Sequence, residues 1–277
     1  MGEGSFIGAQ GVDLPNEADS PQSDRFPVRI VHVHVPKTAG SALAEAFQRA
    51  YGNRIRVYPP RYEMHFNQAE YAGYNFFTGH IGAKVANEIG GDFITILRDP
   101  VDRFLSTYFF LRQLHSSGDE VSHKTSLAMR YDLDQFTRIT EEPALELELR
   151  NRMTWQIAYS HRLNLRRELI ATGIGDADLV RLAISNLSRF KIVGIQTNMA
   201  GLAKAIRERY QIEISIGRVN VTRSRLARND LSLKTLDRIE KWVDLDQELY
   251  NACTRLDGPM AAPVTDQVTG GIFPTKV

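Results

Sequence analysis

Residues 28–41 read Val-Arg-Ile-Val-His-Val-His-Val-Pro-Lys-Thr-Ala-Gly-Ser, and they carry the strongest structural signal in the chain. The first eight residues alternate and are rich in β-branched side chains, which predicts a β-strand that Pro36 ends. Residues 37–41 are small and indicate a tight turn. Residues 42–51 then place apolar side chains on one face at helical spacing. The segment therefore predicts a strand, a short loop and a helix.

Similar patterns follow along the chain. Strands are predicted at 75–80, 92–97 and 190–194, and the nearly apolar 92–97 is typical of a buried parallel strand. Helices are predicted at 100–115, 144–159, 177–187, 198–210 and 233–254. Asp99 is expected to be the N-cap of the helix at 100–115, with Pro100 as its first residue. Strands that alternate with helices predict an α/β fold with a central, mainly parallel sheet flanked by helices.

The composition excludes several classes of protein. The chain has 277 residues with 34 Lys and Arg against 33 Asp and Glu, a net charge of +1, so no chain-wide basic field for a nucleic-acid partner exists. The one cysteine, Cys253, excludes an intramolecular disulfide and a Cys-rich zinc site, and we expect no metal. No apolar run is long enough to predict a membrane span, and no secretory signal is recognisable, so we expect a cytoplasmic protein.

The same sequence predicts one folded domain. Residues 1–26 are rich in Gly, Ser, Asp, Asn and Pro, which is typical of a flexible arm. Residues 258–277 contain repeated Gly and Pro and are expected to form an irregular tail. The folded domain is then expected to occupy residues 27–257.

The loop after the first strand has the chemistry of an anion site. A helix N-terminus presents free N–H groups and a positive dipole to a phosphate. Gly40, between Ala39 and Ser41, lets the backbone close around oxygens, while Lys37 supplies a cation and Thr38 and Ser41 supply hydroxyls. The pattern differs from a Walker A loop, because the lysine precedes the glycine. An ordinary strand–helix turn with a solvated Lys37 is the alternative.

A second candidate anion site follows the strand at 92–97. Arg98 comes directly after that strand, and ligands of open α/β sheets bind at the carboxyl ends of strands. Ser106 lies two turns into the next helix, and a guanidinium with a hydroxyl makes a compact anion site. The alternatives are an ion pair of Arg98 with Asp99 or Asp102, and a surface position for Ser106.

Together the two segments resemble the sulfotransferase superfamily. Residues 36–41 are similar to its 5′-phosphosulfate loop, and residues 98–108 are similar to its 3′-phosphate motif, about 60 residues later. The form resembles the carbohydrate branch, which includes heparan sulfate 2-O-sulfotransferase and bacterial relatives. Weaker similarity continues through 190–194, 219–220 and 246–250.

The resemblance implies a P-loop-like three-layer fold and the donor 3′-phosphoadenosine 5′-phosphosulfate. It places Lys37 on the 5′-phosphate and the bridging oxygen, and Arg98 and Ser106 on the 3′-phosphate. The remaining donor-binding residues that it implies are Thr38, Ala39, Gly40, Ser41, Ala42, Arg223 and Arg225. Ala42 stands where the family often has a second hydroxyl, so its backbone would make the contact. Arg223 and Arg225 would belong to a late basic loop over the nucleotide.

The resemblance also implies a general base and an acceptor cleft. His80 follows a strand at the place of the catalytic histidine of the 2-O-sulfotransferase branch, and a histidine near neutral pKa can accept a sugar hydroxyl proton. A structural histidine bonded to backbone is the alternative. Asn151, Trp155 and Gln156 resemble a segment that lines the acceptor cleft, although Trp155 also suits the core. His32 and His34 are expected to serve in packing or in support of the site.

The sequence thus predicts sulfuryl transfer to an acceptor hydroxyl, on a glycan or a small metabolite. The transfer is expected to be in-line, with His80 as base and Lys37 stabilising the leaving phosphate. One alternative is a kinase that uses the same loop for ATP, but no Mg²⁺-binding acid follows Lys37 closely. The other is a noncatalytic nucleotide-binding module, for which Ala42 is the only hint.

Overall fold

The computed structural model describes residues 28–51, 57–58, 74–116, 122–160, 162–217 and 226–255. Five strands form one sheet: β1 (Ile30–Val33), β2 (Val57–Tyr58), β3 (Phe76–Gly79), β4 (Asp92–Leu97) and β5 (Ile192–Ile195). Their order is β2-β3-β1-β4-β5, and every neighbouring pair is parallel. The predicted α/β fold with a parallel sheet is confirmed. The predicted arm at 1–26 and tail at 258–277 lie outside the described residues.

Helices make up most of the remaining described structure. They are α1 (Gly40–Tyr51), α2 (Ala83–Ile89), α3 (Pro100–Ser116), α4 (His123–Arg130), α5 (Leu133–Phe136), α6 (Pro143–Leu149), α7 (Arg152–Ala158), α8 (Leu163–Ile170), α9 (Asp176–Leu187), α10 (Met199–Tyr210), α11 (Leu233–Trp242) and α12 (Asp244–Thr254), with a 3₁₀ turn at Arg228–Asp230. The helices α2, α4, α5 and α8 were not predicted from the sequence.

Apolar side chains cover both faces of the sheet. Successive residues of a strand point to opposite faces. On β1, Ile30 packs in a cluster with α1 and α10, whereas Val31 and Val33 pack in a cluster with α2, α7, α9 and α12. The sheet is therefore the middle layer of three. A third cluster joins α3 to α4, α6 and α11 beside it.

Two long helices predicted from the sequence are each broken in the structure. The predicted helix at 144–159 divides into α6 and α7 at Asn151, which has a left-handed backbone with φ of 47°. The predicted helix at 233–254 divides into α11 and α12 at Val243. The Asn151 side chain joins the two breaks: its Nδ2 donates to Asp244 at 2.8 Å, and its Oδ1 accepts from the N–H of Leu245 at 3.0 Å.

The parallel sheet places the candidate site residues at one edge. Val33 is in register with Gly79 of β3 and Thr95 of β4, so the residues that follow these three strands lie at the same end of the sheet. Asp99 caps α3 as predicted, with its Oδ1 accepting from the N–H of Asp102 at 2.9 Å. No helix in the described ranges is long and apolar enough to cross a membrane.

Candidate active site

The loop between β1 and α1 forms a cradle of backbone N–H groups. Lys37 and Ala39 have positive φ values of 69° and 77°, which turn the chain back on itself before α1. The Ala39 carbonyl accepts from the N–H of Ala42 at 3.1 Å and of Leu43 at 3.3 Å. The N–H groups of Gly40 and Ser41 belong to the first turn of α1, where N–H groups have no intrahelical partner. N–H groups at such a helix start can donate hydrogen bonds to an anion, which makes the loop a candidate anion site.

Some side chains of this loop are buried in the fold, and one is exposed to solvent. Thr38 is buried, and its hydroxyl donates to the Val35 carbonyl at 2.8 Å, so its proton serves the turn. Ser41 is exposed and Ala42 is buried. The backbone of the loop, with the Ser41 hydroxyl, is thus what a ligand can reach.

Lys37 sits at this loop in a partly dehydrated position. Its Nζ lies 3.7 Å from the centre of the Phe110 ring on α3, a cation–π contact. Partial burial lowers the pKa of Lys37 to about 8, and the negative charge of Glu148 acts in the opposite direction. Lys37 is therefore mostly protonated at pH 7, but it is less strongly held in the charged form than a solvated lysine.

Arg98 joins the end of β4 to the loop. Its Nη1 donates to the Lys37 carbonyl at 2.9 Å, and only 7% of its surface is exposed. Its Nε is buried and has no hydrogen-bond partner among the described residues. Arg98 thus donates this hydrogen bond to the loop carbonyl and not to the carboxylate of Asp99 or Asp102. Ser106 is buried at 4% exposure, so it is not a surface serine.

His80 lies directly after β3 and heads a column of three imidazoles. Its ring meets the His34 ring edge-on with centroids 4.8 Å apart, and His34 stacks on His32 with centroids 5.2 Å apart. The innermost ring, His32, shares a 2.9 Å hydrogen bond between Nδ1 and Thr78 Oγ1. Burial, followed by the charge of Arg152, lowers the pKa of His80 to about 4. The expected pKa near neutrality is therefore not found: at pH 7 the ring is neutral and can accept a proton, but it is a weaker base than an ordinary histidine because burial disfavours its charged form.

Three charged residues that act on His80 were not among the predicted site residues: Lys124, Glu148 and Arg152. Glu148 lies in the last turn of α6 and pairs with Lys124 of α4 at 2.9 Å, with 20% of the glutamate side chain exposed. Burial alone would raise the pKa of Glu148, but Arg152 and Lys124 lower it to about 2. The sequence offered one partial signal, the arginine-rich segment that begins at Arg150, but nothing indicated which of its residues faces the site.

The predicted acceptor residues occupy different environments. Gln156 is fully buried, and its Nε2 donates to the carbonyls of His34 at 2.9 Å and Ile81 at 2.8 Å. Asn151 is also buried and is bound to α12, as described above. Trp155 is partly buried, with the Arg166 guanidinium 4.9 Å from its ring centre. Both amides therefore make structural hydrogen bonds, and Trp155 is the most accessible of the three. Arg223 and Arg225 lie outside the described residues.

Within the ranges that the structure describes, no group of three His, Cys, Asp or Glu side chains could hold a metal ion. The site consists instead of loop amides, a lysine, a buried arginine and a neutral histidine. These groups can bind a doubly anionic ligand, stabilise negative charge and accept a proton.

The described structure is an α/β fold whose candidate site lies at the carboxyl edge of a parallel sheet. A model of the sulfotransferase family matches residues 27–251, most of the chain, and the chain belongs to that family. Membership assigns sulfuryl transfer in general, from a sulfonate donor to a hydroxyl-bearing acceptor. No curated protein matches the chain.

Proposed function

We propose that the protein transfers a sulfuryl group from 3′-phosphoadenosine 5′-phosphosulfate to a hydroxyl of a carbohydrate. The observation that supports this donor best is the pairing of two anion sites. The loop offers N–H groups at the start of α1, and Arg98 lies against the same loop with a buried Nε that lacks a partner among the described residues. A donor with a 5′-phosphosulfate and a 3′-phosphate supplies an anion for each site. The residues therefore fit this donor.

The donor, when bound, supplies an activated sulfuryl group on a phosphate leaving group. The loop amides and Lys37 stabilise negative charge on the bridging oxygen as its bond to sulfur breaks. Lys37 suits this role because its ammonium is desolvated on the Phe110 ring, where its charge acts more strongly than in water.

His80 is the proposed base. A ring nitrogen of His80 takes the proton of the acceptor hydroxyl while the acceptor oxygen forms its bond to sulfur, in line with the departing phosphate oxygen. Its lowered pKa keeps the ring neutral at pH 7 and thus able to accept this proton. Glu148 has a pKa of about 2 and stays ionised beside the cations.

The acceptor is proposed to lie beside Trp155, the partly exposed aromatic of the predicted cleft. An aromatic face can stack on a sugar ring, and the Arg166 guanidinium already lies over this ring system. Asn151 and Gln156 would act indirectly, by fixing α7 and the His34 and Ile81 carbonyls. A glycan or a small hydroxylated metabolite remains the proposed acceptor, and Arg223 and Arg225 remain predicted contacts of the nucleotide.

Calorimetric titration with 3′-phosphoadenosine 5′-phosphate, and with ATP for comparison, tests the donor. Micromolar binding of the former that ATP does not match is the expected result, because only the former carries a 3′-phosphate. Arg98→Ala should then weaken that binding by about 1.5–3 kcal/mol, the value of a hydrogen-bonded charge, while ATP binding changes little. Equal or tighter binding of ATP, or no binding of either nucleotide, would overturn the proposal.

Sulfation of a panel of sugars by the same protein tests the chemistry. Lys37→Ala should lose nucleotide affinity and turnover. His80→Ala should keep the affinity and lose about 10²–10⁴-fold in turnover, as expected for a general base. Lys204→Ala and His123→Ala are matched controls, since both side chains are exposed in surface ion pairs. A fully active His80→Ala would show that another group is the base.

A further inference from the structure

His34 lies between the anion-binding loop and His80. Its ring meets His80 with centroids 4.8 Å apart and stacks on His32 on the other side. Its backbone is fixed as well, because its N–H donates to the Gly79 carbonyl at 3.0 Å and its carbonyl accepts from Gln156 at 2.9 Å. With 8% of its surface exposed, His34 has little freedom to move.

The same ring also fills the space beside Gly40. A Cβ added to Gly40 would lie 2.1 Å from Cδ2, 2.4 Å from Nε2 and 2.6 Å from Cγ of His34. These distances are far shorter than a van der Waals contact of roughly 3.5–4.0 Å. The first residue of α1 therefore approaches the face of His34 as closely as only a glycine can.

The backbone at Gly40 does not itself require glycine. Among residues 36–41, positive φ values occur at Lys37 and Ala39, whereas Gly40 has a conformation open to any residue. The lack of a side chain at Gly40 is thus explained by the His34 ring and not by the turn. Since the ring also contacts His80, one rigid side chain sets the positions of both the loop and the proposed base.

We propose that His34 is a positioning residue that fixes the separation between the loop at 36–41 and His80. Its effect on transfer rests on the proposed function, but its contact with Gly40 does not. A misplacement of about 1 Å can cost about 10²-fold in rate, so such a spacer affects turnover without touching either substrate.

The test is a double-mutant cycle of Gly40→Ala and His34→Ala. Gly40→Ala should weaken binding of 3′-phosphoadenosine 5′-phosphate by about 10- to 100-fold, as overpacking of a rigid contact does. In the His34→Ala background the added methyl enters the vacated space, so the same substitution should cost about threefold or less, a non-additivity typical of residues in contact. An equal loss in both backgrounds would overturn the proposal.

Turnover separates positioning from simple support of the fold. His34→Ala should lower kcat by about tenfold at saturating donor, because His80 loses the ring against which it rests. His34→Asn keeps a planar group at the ring position and should recover part of that loss. The double variant should recover nucleotide affinity but not kcat. An unchanged kcat in His34→Ala would also overturn the proposal.

His32→Ala is the matched control, since it removes the neighbouring imidazole of the same column, whereas the three atoms nearest to a Cβ at Gly40 all belong to His34. The Gly40→Ala penalty should persist in full in that background, and relief of the penalty there would count against the proposal. Thermal unfolding of the same variants gives a readout that needs no nucleotide. Gly40→Ala should lower Tm, and His34→Ala should reverse this effect specifically. If the wild-type protein bound no nucleotide, the proposed function would fail, while the Tm cycle would still decide the contact.

Discussion

Acidification should destabilise this protein through its buried histidine column. Burial lowers the pKa of His32 to about 3 and the pKa of His34 well below 6.5, with the neighbouring histidines lowering both further. The unfolded chain has histidines near 6.5. As the pH falls below 6.5, the unfolded state binds protons that the folded state does not bind, so the free energy of unfolding decreases.

The size of the effect follows from proton linkage. At pH 5.5 a histidine that stays neutral in the folded protein lowers the free energy of unfolding by about 1.4 kcal/mol, relative to a histidine whose folded-state pKa is 6.5. At pH 7.5 this difference is almost zero. The two histidines with the deepest burial, His32 and His34, therefore lower the free energy of unfolding by about 3 kcal/mol between these pH values. His80, whose pKa is lowered to about 4, adds about 1.4 kcal/mol by the same relation, for a total of about 4 kcal/mol. A loss of about 4 kcal/mol is a large share of the 5–15 kcal/mol typical of a domain.

Urea unfolding at pH 7.5 and 5.5 measures this loss directly. His32→Gln removes one of three buried titrating rings and should reduce the pH-dependent drop by about a third, whatever its effect on stability at pH 7.5. His123→Gln changes an exposed histidine and serves as the control. The reasoning fails if the wild-type free energy of unfolding is the same at both pH values, or if His32→Gln retains the whole drop.

Two other measurements test the electrostatics of the structure. The rate of transfer should rise with pH through a pKa of about 4, because His80 loses its proton there. It should fall through a pKa of about 8, because Lys37 loses its proton there. Activity that still rises above pH 8 would contradict the role of Lys37. Asp246→Ala should lower the free energy of unfolding by about 3–5 kcal/mol, because it leaves the buried Arg103, now 3.8 Å from the carboxylate, without its charge partner. Denaturant titration checks this, and a loss below about 1 kcal/mol, typical of a surface pair, would contradict it.

Four of the five strands and the main helices could be predicted from the sequence because their signals are local. β-branched runs identify β1 and β4, and Asp99 with Pro100 identifies the start of α3. The breaks at Asn151 and Val243 could not be predicted in this way. Asn151 adopts its left-handed backbone while its amide binds residues more than ninety positions later, and no window of sequence contains both partners.

The same distinction applies to the site. The loop at 36–41 and Arg98 are recognisable because each follows a strand, and parallel strands bring such positions together. Glu148 and Lys124 meet only because α4 packs beside α6, and α4 was not predicted at all. The close approach of His34 to Gly40 is equally hidden, since it depends on the exact position of a side chain and not on a residue pattern.

The candidate site combines a neutral His80 with a charged Lys37, and the structure explains how both exist at one pH. Burial lowers the pKa values of His80 and Lys37, to about 4 and about 8, so pH 7 falls between them. Glu148 raises both pKa values, whereas Arg152 and Lys124 lower that of His80. The Glu148 carboxylate thus favours the charged form of Lys37. The charges of Arg152 and Lys124 oppose its effect on the pKa of His80, which stays low. Burial is the largest cause of both shifts, and the neighbouring charges adjust the two pKa values without changing which residue is protonated at pH 7.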